Sequence, residues 1–167
     1  DPTPLEHEGY HSDAADAALE VLMRRAAGQV PALFRVESMR VLTDEQPGGD
    51  LSTEATVKVW VGDGDDAERR VWVAEGNGPV NAIDTALRKA VGTMLPQLAD
   101  IHLTDYKVRI LDGTSATGST TRVLLSATDG ERDWTTIGVS PNIIEASWRA
   151  LEDSLVYGLL HRSLRDM

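Results

Sequence analysis

One order of elements occurs twice in this chain of 167 residues, and that repetition narrows its folds more than any other feature. In the first half, residues 33–42 are rich in branched and aromatic side chains. Residues 55–61 then alternate, with Ala55, Val57, Val59 and Val61 on one face and Thr56, Lys58 and Trp60 on the other. Gly62-Asp63-Gly64-Asp65-Asp66 has the composition of a hairpin turn, and residues 70–74 read as its return strand. Glu75-Gly76-Asn77-Gly78-Pro79 leads into a helix with Val80, Ile83, Leu87, Val91 and Met94 at helical spacing. Pro79 suits a first helical turn, because its φ is already fixed and it has no N–H to leave unpaired.

The second half repeats the order. Residues 104–111 and 122–127 read as strands, Asp129-Gly130 as a turn and 133–138 as the return strand. Ser140-Pro141 then opens a helix carrying Ile144, Trp148, Leu151, Leu155 and Leu159 on one stripe. Laid over each other, the halves match Met39-Arg40-Val41-Leu42 with Val108-Arg109-Ile110-Leu111, and Val57-Lys58-Val59 with Val123-Leu124-Leu125. Asp63-Gly64 falls on Asp129-Gly130, and Trp72, Gly76 and Pro79 fall on Trp134, Gly138 and Pro141. After a slip of one residue, Ile83-Asp84 matches Ile144-Glu145, and Arg88 matches Arg149.

A β-β-β-α unit has one apolar sheet face and one apolar helix stripe to cover it. The expectation is therefore an α+β fold of duplicated β-β-β-α units with pseudo-twofold symmetry, preceded by an N-terminal linker helix. That helix runs from about 14 to 27 behind a Ser12 or Asp13 cap, presents Ala15, Leu19, Leu22, Met23 and Ala26, and stops at Gly28 and Pro31. Residues 1–30 form the linker segment and helix, 31–162 a domain of two repeats (about 33–98 and 101–162), and 163–167 a tail. Small folds with internal twofold symmetry often pair again, leaving clefts between helix N-termini and neighbouring strands.

Acidic residues outnumber basic ones by 27 to 16, for a net charge of -11, which argues against a nucleic-acid or anionic-membrane surface. The chain has no Cys, which fits a reducing compartment and a cytoplasmic location. No apolar run approaches the roughly 18 residues of a membrane span, and the polar first ten residues are no signal peptide.

Catalytic patterns are missing. His7, His11, His102 and His161 have no metal-ligand spacing on a helix, and no catalytic or metal-ligating set is expected. Gly138-Val139-Ser140-Pro141 only superficially resembles a nucleophile elbow, and Ser140 reads better as an N-cap. Gly113–Ser119 lacks the Gly-Lys-Ser/Thr of a phosphate loop, and Asp63, Asp65 and Asp66 lack the frame of a calcium loop. Two strand-to-helix junctions remain, Gly76-Asn77-Gly78-Pro79-Val80-Asn81 and Gly138-Val139-Ser140-Pro141-Asn142-Ile143. Each is either a plain tight turn or a place where free backbone N–H groups meet an anion such as an amino-acid carboxylate.

At these residues the sequence resembles the C-terminal regulatory domain of the 2-isopropylmalate synthase and citramalate synthase family. The likeness is carried by residues 75–90, 105–110 and 121–125, and by the run 138–151 with its Asn-Ile-Ile-Glu-Ala-Ser-Trp, which is nearer to citramalate synthases. It covers roughly 33–160, and residues 9–28 resemble the helix that joins this domain to the catalytic part. The resemblance implies a homodimeric regulatory domain that binds a branched-chain amino acid, isoleucine favoured, for feedback inhibition in isoleucine biosynthesis. It implies no enzyme activity in this chain alone: the acyl transfer, the divalent metal and acetyl-CoA belong to a catalytic TIM barrel that these residues do not include. It places the effector against Gly78, Val80, Asn81 and Ala82 at the first junction, Tyr106, Ile110 and Thr121 on the strands, and Pro141 and Ile143 at the second junction. Where relatives carry an acidic residue, this chain has Asn81; Asp84 or Asp105 would then supply the charge for the ligand ammonium.

Three alternatives stand beside this reading. The effector could be leucine, in a 2-isopropylmalate synthase. The chain could be a dimerisation module without a ligand, with Trp60 as an interface anchor or simply covered by a helix. It could be a small enzyme using Asp105 and His102.

Overall fold

A computed structural model describes residues 15–30, 33–45, 47–49, 51–111 and 119–165. The expected linker at 1–11, the caps Ser12 and Asp13, His7, His11, Pro31 and the loop from Gly113 to Gly118 lie outside the described residues. The chain divides into two compact units, one of residues 31–96 and one of residues 1–30 with 97–167. The helix that precedes the first repeat thus belongs to the unit that holds the second.

In the first unit, β1 (Phe34–Glu45), β2 (Leu51–Val61) and β3 (Glu68–Gly76) form an antiparallel sheet in that order, and α2 (Pro79–Val91) follows. The alternation read in β2 is the core of this unit: Ala55, Val57, Val59 and Val61 are buried towards α2. The helix buries Val80, Ala82, Ile83, Ala86, Leu87, Ala90 and Val91. Alanines at every fourth position let its backbone come close to the sheet. Met94 is not on that stripe, because the helix ends at Gly92, whose φ of 57° stops the helical path. Trp60 lies on the opposite face of the sheet; its Nε1 donates to Glu37 (3.1 Å) and the Arg35 guanidinium sits over its ring.

The second unit has the antiparallel sheet β4 (His102–Leu111), β5 (Thr120–Thr128) and β6 (Asp133–Ser140), the long helix α3 (Ile143–Arg165), and α1 (Ala15–Ala26). α3 buries Leu151, Leu155 and Leu159 as expected, but Ile144 and Trp148 are only half-buried. Its inward face turns instead through Ala146, Ser147, Ala150 and Ser154. Small side chains win there because the strand is so close: a Cβ on Gly138 would run into the Ala146 carbonyl oxygen. α1 packs on β6 and α3, yet not through the expected stripe: Leu22 and Met23 are exposed, while Ala17, Ala18 and Val21 are buried. Val21 fits between Val156 and Leu160, with Val30 and Tyr157 alongside.

The duplication holds, but its register differs from the sequence overlay by two residues on the strands and by three along the helices. Each first strand carries one bulge, at Glu37 between the pairs Val36–Val59 and Ser38–Lys58, and at Thr104 between Leu103–Ala127 and Asp105–Ser126. Matching bulge to bulge puts Val57 on Leu125 and Ala74 on Gly138, and it puts the helix cap Gly78 on Asn142. Ala82, Ile83, Ala86, Leu87, Ala90 and Val91 then fall on Ala146, Ser147, Ala150, Leu151, Ser154 and Leu155, every one of them buried. A further pair agrees: Arg70 Nε donates to the Ala90 carbonyl, and Trp134 Nε1 donates to that of Ser154. The overlay slipped because Asp63-Gly64 lies in the longer connection 62–67, whereas Asp129-Gly130 opens a tight turn closed by Asp129 N–H donating to the Arg132 carbonyl.

Candidate functional site

At the first junction β3 runs into α2 through Asn77 and Gly78. Gly78 is the cap residue, in extended backbone (φ 175°, ψ 173°), and no side chain caps the helix. The first helical hydrogen bond is that of Ala82 N–H to the Gly78 carbonyl, 3.0 Å. Pro79 has no N–H to offer, so the N–H groups of Val80 and Asn81 form the open end of α2. A Cβ on Gly78 would meet nothing within 4 Å, so the space before this end is clear. Behind it the packing is tight, since a Cβ on Gly76 would lie 2.5 Å from Ala82 N. Val80 and Ala82 are buried, whereas Asn81 is exposed and turns its Oδ1 back to accept from Asn77 N–H at 3.2 Å.

The second junction is closed by its own side chains. Asn142 Oδ1 accepts from Ile144 N–H (2.8 Å) and Glu145 N–H (3.2 Å). Ser140 Oγ accepts from Asn142 N–H and donates to Glu145 Oε2 at 2.8 Å, and Arg149 holds Glu145 from the next turn. Pro141 and Ile143 project into solvent beside this cap. An anion arriving there would have to displace the Asn142 side chain first.

Strand register gathers the other residues within the second unit. Ile110, Thr121 and Ser140 form one row across β4, β5 and β6, with Ile110 exposed and Thr121 buried. Tyr106 stands opposite Leu125, half-exposed, with its hydroxyl 3.1 Å from Ser147 Oγ on α3. Gly78, Val80, Asn81 and Ala82 lie together in the first unit. Asp84 is a poor partner for a ligand ammonium: burial pushes its carboxyl up, and Arg88 Nε already donates to it at 2.9 Å. Asp105 is exposed beside Lys107 at 3.6 Å. Among the described residues no group of three or more His, Asp or Glu side chains could hold a metal, and no helix is long and apolar enough to cross a membrane.

Two polar clusters escaped the sequence. Glu37 accepts from both Trp60 and Arg69, and α1 is tied to α3 by Arg25 with Glu152 and Asp153 and by Glu20 with His161. Burial pushes the Asp153 carboxyl up to about 6 in spite of Arg25. These partners are far apart in sequence, so no local spacing could have signalled them.

The chain is similar to known proteins over nearly its whole length. It is 52% identical over 156 residues to the (R)-citramalate synthase of Streptomyces coelicolor and 50% identical over 159 residues to that of Synechocystis. Each match covers 93% of this chain and 28% of the relative, so the chain spans little more than a quarter of those proteins. Similarity to a 2-isopropylmalate synthase of Thermus thermophilus is lower, 33% over 138 residues, covering 81% of this chain and 36% of that protein. The family model for the LeuA allosteric (dimerisation) domain matches residues 13–159, which span α1 and both β-β-β-α units. With two bulged sheets, each backed by a helix in the same register, and a match running through both, the chain belongs to the LeuA allosteric (dimerisation) domain family.

Proposed function

We propose that this chain is the effector-sensing domain of a cytoplasmic citramalate synthase. It binds a branched-chain amino acid, isoleucine in preference to leucine, and acts within a homodimer to inhibit a catalytic TIM-barrel domain of the same enzyme. The open N-terminus of α2 is the observation that carries this reading. The ligand carboxylate accepts from Val80 and Asn81 N–H, each such charge-assisted bond being worth about 1.5–3 kcal/mol, and the positive end of the helix adds about 0.3–1 kcal/mol. Asn81 Oδ1 has a second lone pair beyond the one that Asn77 uses, and offers it to the ligand ammonium.

Burying a four-carbon side chain contributes about 2–3 kcal/mol, and the position of one methyl separates isoleucine from leucine by about 1–3 kcal/mol. Inhibition follows if one arrangement of the dimer binds the amino acid better than another. The divalent metal and acetyl-CoA belong to the catalytic domain in this reading.

Calorimetry of the chain with isoleucine, leucine and valine tests the proposal, with binding of isoleucine expected to be tightest. No heat with any of the three overturns it. Asn81→Leu weakens binding about tenfold without unfolding the unit, since the side chain is exposed; undiminished affinity moves the site elsewhere. A second reading, a dimerisation module that binds nothing, is favoured by the exposed Val71, Trp72 and Val73 on β3 and Val108 and Ile110 on β4. Dimers that form and stay unchanged across all three amino acids support it.

A further inference from the structure

His161, on the last turns of α3, joins three elements of the second unit. Its Nε2 lies 2.7 Å from Glu20 Oε2 on α1, and its Nδ1 faces Arg132 Nη1 on the turn between β5 and β6. The ring packs on Tyr157 with centroids 4.3 Å apart, and Tyr157 packs in turn on Trp134. Only 14% of the imidazole side chain is exposed.

The partners dictate where the protons are. A guanidinium can only donate, so Nδ1 must accept from Arg132. The ring is therefore neutral, its one proton is on Nε2, and that proton is donated to Glu20. Both ring nitrogens are used up. An added proton has only Nδ1 to go to, where an Arg132 N–H already points; donor would then face donor and cation would face cation. The same proton gives Glu20 a fully charged partner.

We propose that His161 is a proton-controlled junction between α1 and the β5–β6 turn. Neutral, it ties both to α3; protonated, it releases Arg132 and grips α1 more tightly through Glu20. The charged groups around it fit this exchange. Arg24 on α1 is engaged with the other oxygen of Glu20 at 3.3 Å. Tyr157 on α3 offers its hydroxyl to Arg132 at 3.5 Å, and Arg162 is held by Asp100 at 2.7 Å. The turn keeps its own bonds without His161, since Asp129 Oδ1 accepts from Glu131 and Arg132 N–H, so it loosens rather than unfolds. The device makes the seating of α1 sensitive to pH whether or not an effector is bound.

The test uses the whole chain carrying Asp153→Asn, which removes from the contact between α1 and α3 the carboxyl that burial pushes up to about 6. Nitrogen resonances of the His161 ring at about pH 8 should show Nδ1 bare and Nε2 protonated. Amide exchange, corrected for its intrinsic pH dependence and referenced to β2, is compared at about pH 8 and about pH 5.5. Acidification should cut the protection of residues 129–132 roughly three- to tenfold and raise that of residues 17–26 by a similar factor. His161→Phe keeps the ring packing and should abolish both responses; Glu20→Gln should abolish the α1 response and leave that of the turn. A protonated Nδ1 at about pH 8 overturns the proposal. So does a pH response that survives His161→Phe, or, should that variant not fold, an α1 response that survives Glu20→Gln.

Discussion

The two helix starts occupy equivalent places in equivalent units and do opposite things with them. α2 begins at Gly78 with bare N–H groups, while α3 begins at Asn142 with its N–H groups already satisfied. The contrast continues into the packing. Where the first unit has Ile83, Ala90, Trp72 and Arg70, the second has Ser147, Ser154, Thr136 and Trp134. Tyr106 reaches Ser147, Thr136 Oγ1 donates to the Ala150 carbonyl at 2.6 Å, and Trp134 reaches Ser154. The helices bury equivalent positions in both units and both are hydrogen-bonded to their sheets, the first through Arg70, but the second is joined to its sheet by Tyr106, Trp134 and Thr136 and is capped by its own side chain. One unit spends its polar atoms on itself; the other leaves a helix end available. Duplicated units can thus keep one packing scheme and divide their labour through a few polar substitutions.

The largest test of this contrast is at the paired positions Ala74 and Gly138. Gly138→Ala drives a methyl into the Ala146 carbonyl and should destabilise the chain by about 3 kcal/mol. Ala74→Gly, at the equivalent place, should cost only about 1 kcal/mol. Urea denaturation measures both, and equal costs would show that the two helices do not sit at different heights on their sheets.

The buried carboxyls come next. The Asp153 carboxyl is neutral in folded and unfolded chains alike below pH 3.8 and must ionise against burial as pH rises through about 6. Stability contributed by this group is therefore present at low pH and lost between those values. Asp153→Asn should raise stability above that window by about 1–2 kcal/mol and leave it unchanged at about pH 3.5. Asp84→Asn in the first unit should act with the same sign and to a smaller extent, because burial also pushes that carboxyl up. Thermal melts across the pH range decide the matter; a gain that persists at low pH would assign it to packing instead.

The smallest effects, and the ones most specific to function, are at the caps. Gly78→Asp fits the extended backbone and clear space there, supplies the missing cap, and should stabilise the chain by about 0.5–1 kcal/mol. It should at the same time weaken amino-acid binding roughly tenfold or more, since its carboxylate takes the place proposed for that of the ligand. Asn142→Ala should cost about 1 kcal/mol and leave affinity untouched. If Asn142→Ala lowers affinity as much as Gly78→Asp does, the division between the two junctions is wrong.

Much of the fold was legible because it rests on short-range periodicity. Strict alternation in 55–61 reported a strand with one buried face, and Pro79 reported a helix start. The misreadings share a different cause. α1 has apolar residues on two faces, Leu19, Leu22 and Met23 on one and Ala17, Ala18 and Val21 on the other. Spacing cannot say which face a partner will cover, and bulkier side chains are a poor guide where the partner surface is close. On α3, Ser147 and Ser154 hid a buried face because a serine is polar in sequence yet comfortable in a core that supplies it with partners. Of the candidate site, the glycine-rich junction was visible. That one junction is open and the other capped was not, since Asn142 caps α3 only if the helix begins one residue after it.

By itself, the order of residues determined two β-β-β-α units, the faces of their central strands and the place of each helix, because these follow from repeats of two and of nearly four residues along the backbone. Tertiary structure decided the rest: the register in which the units correspond, the seating of α1 on the second unit rather than the first, and the joining of Glu20, His161 and Arg132. Those outcomes depend on the depth of a groove and on groups far apart in the chain, which meet only after the local elements have packed.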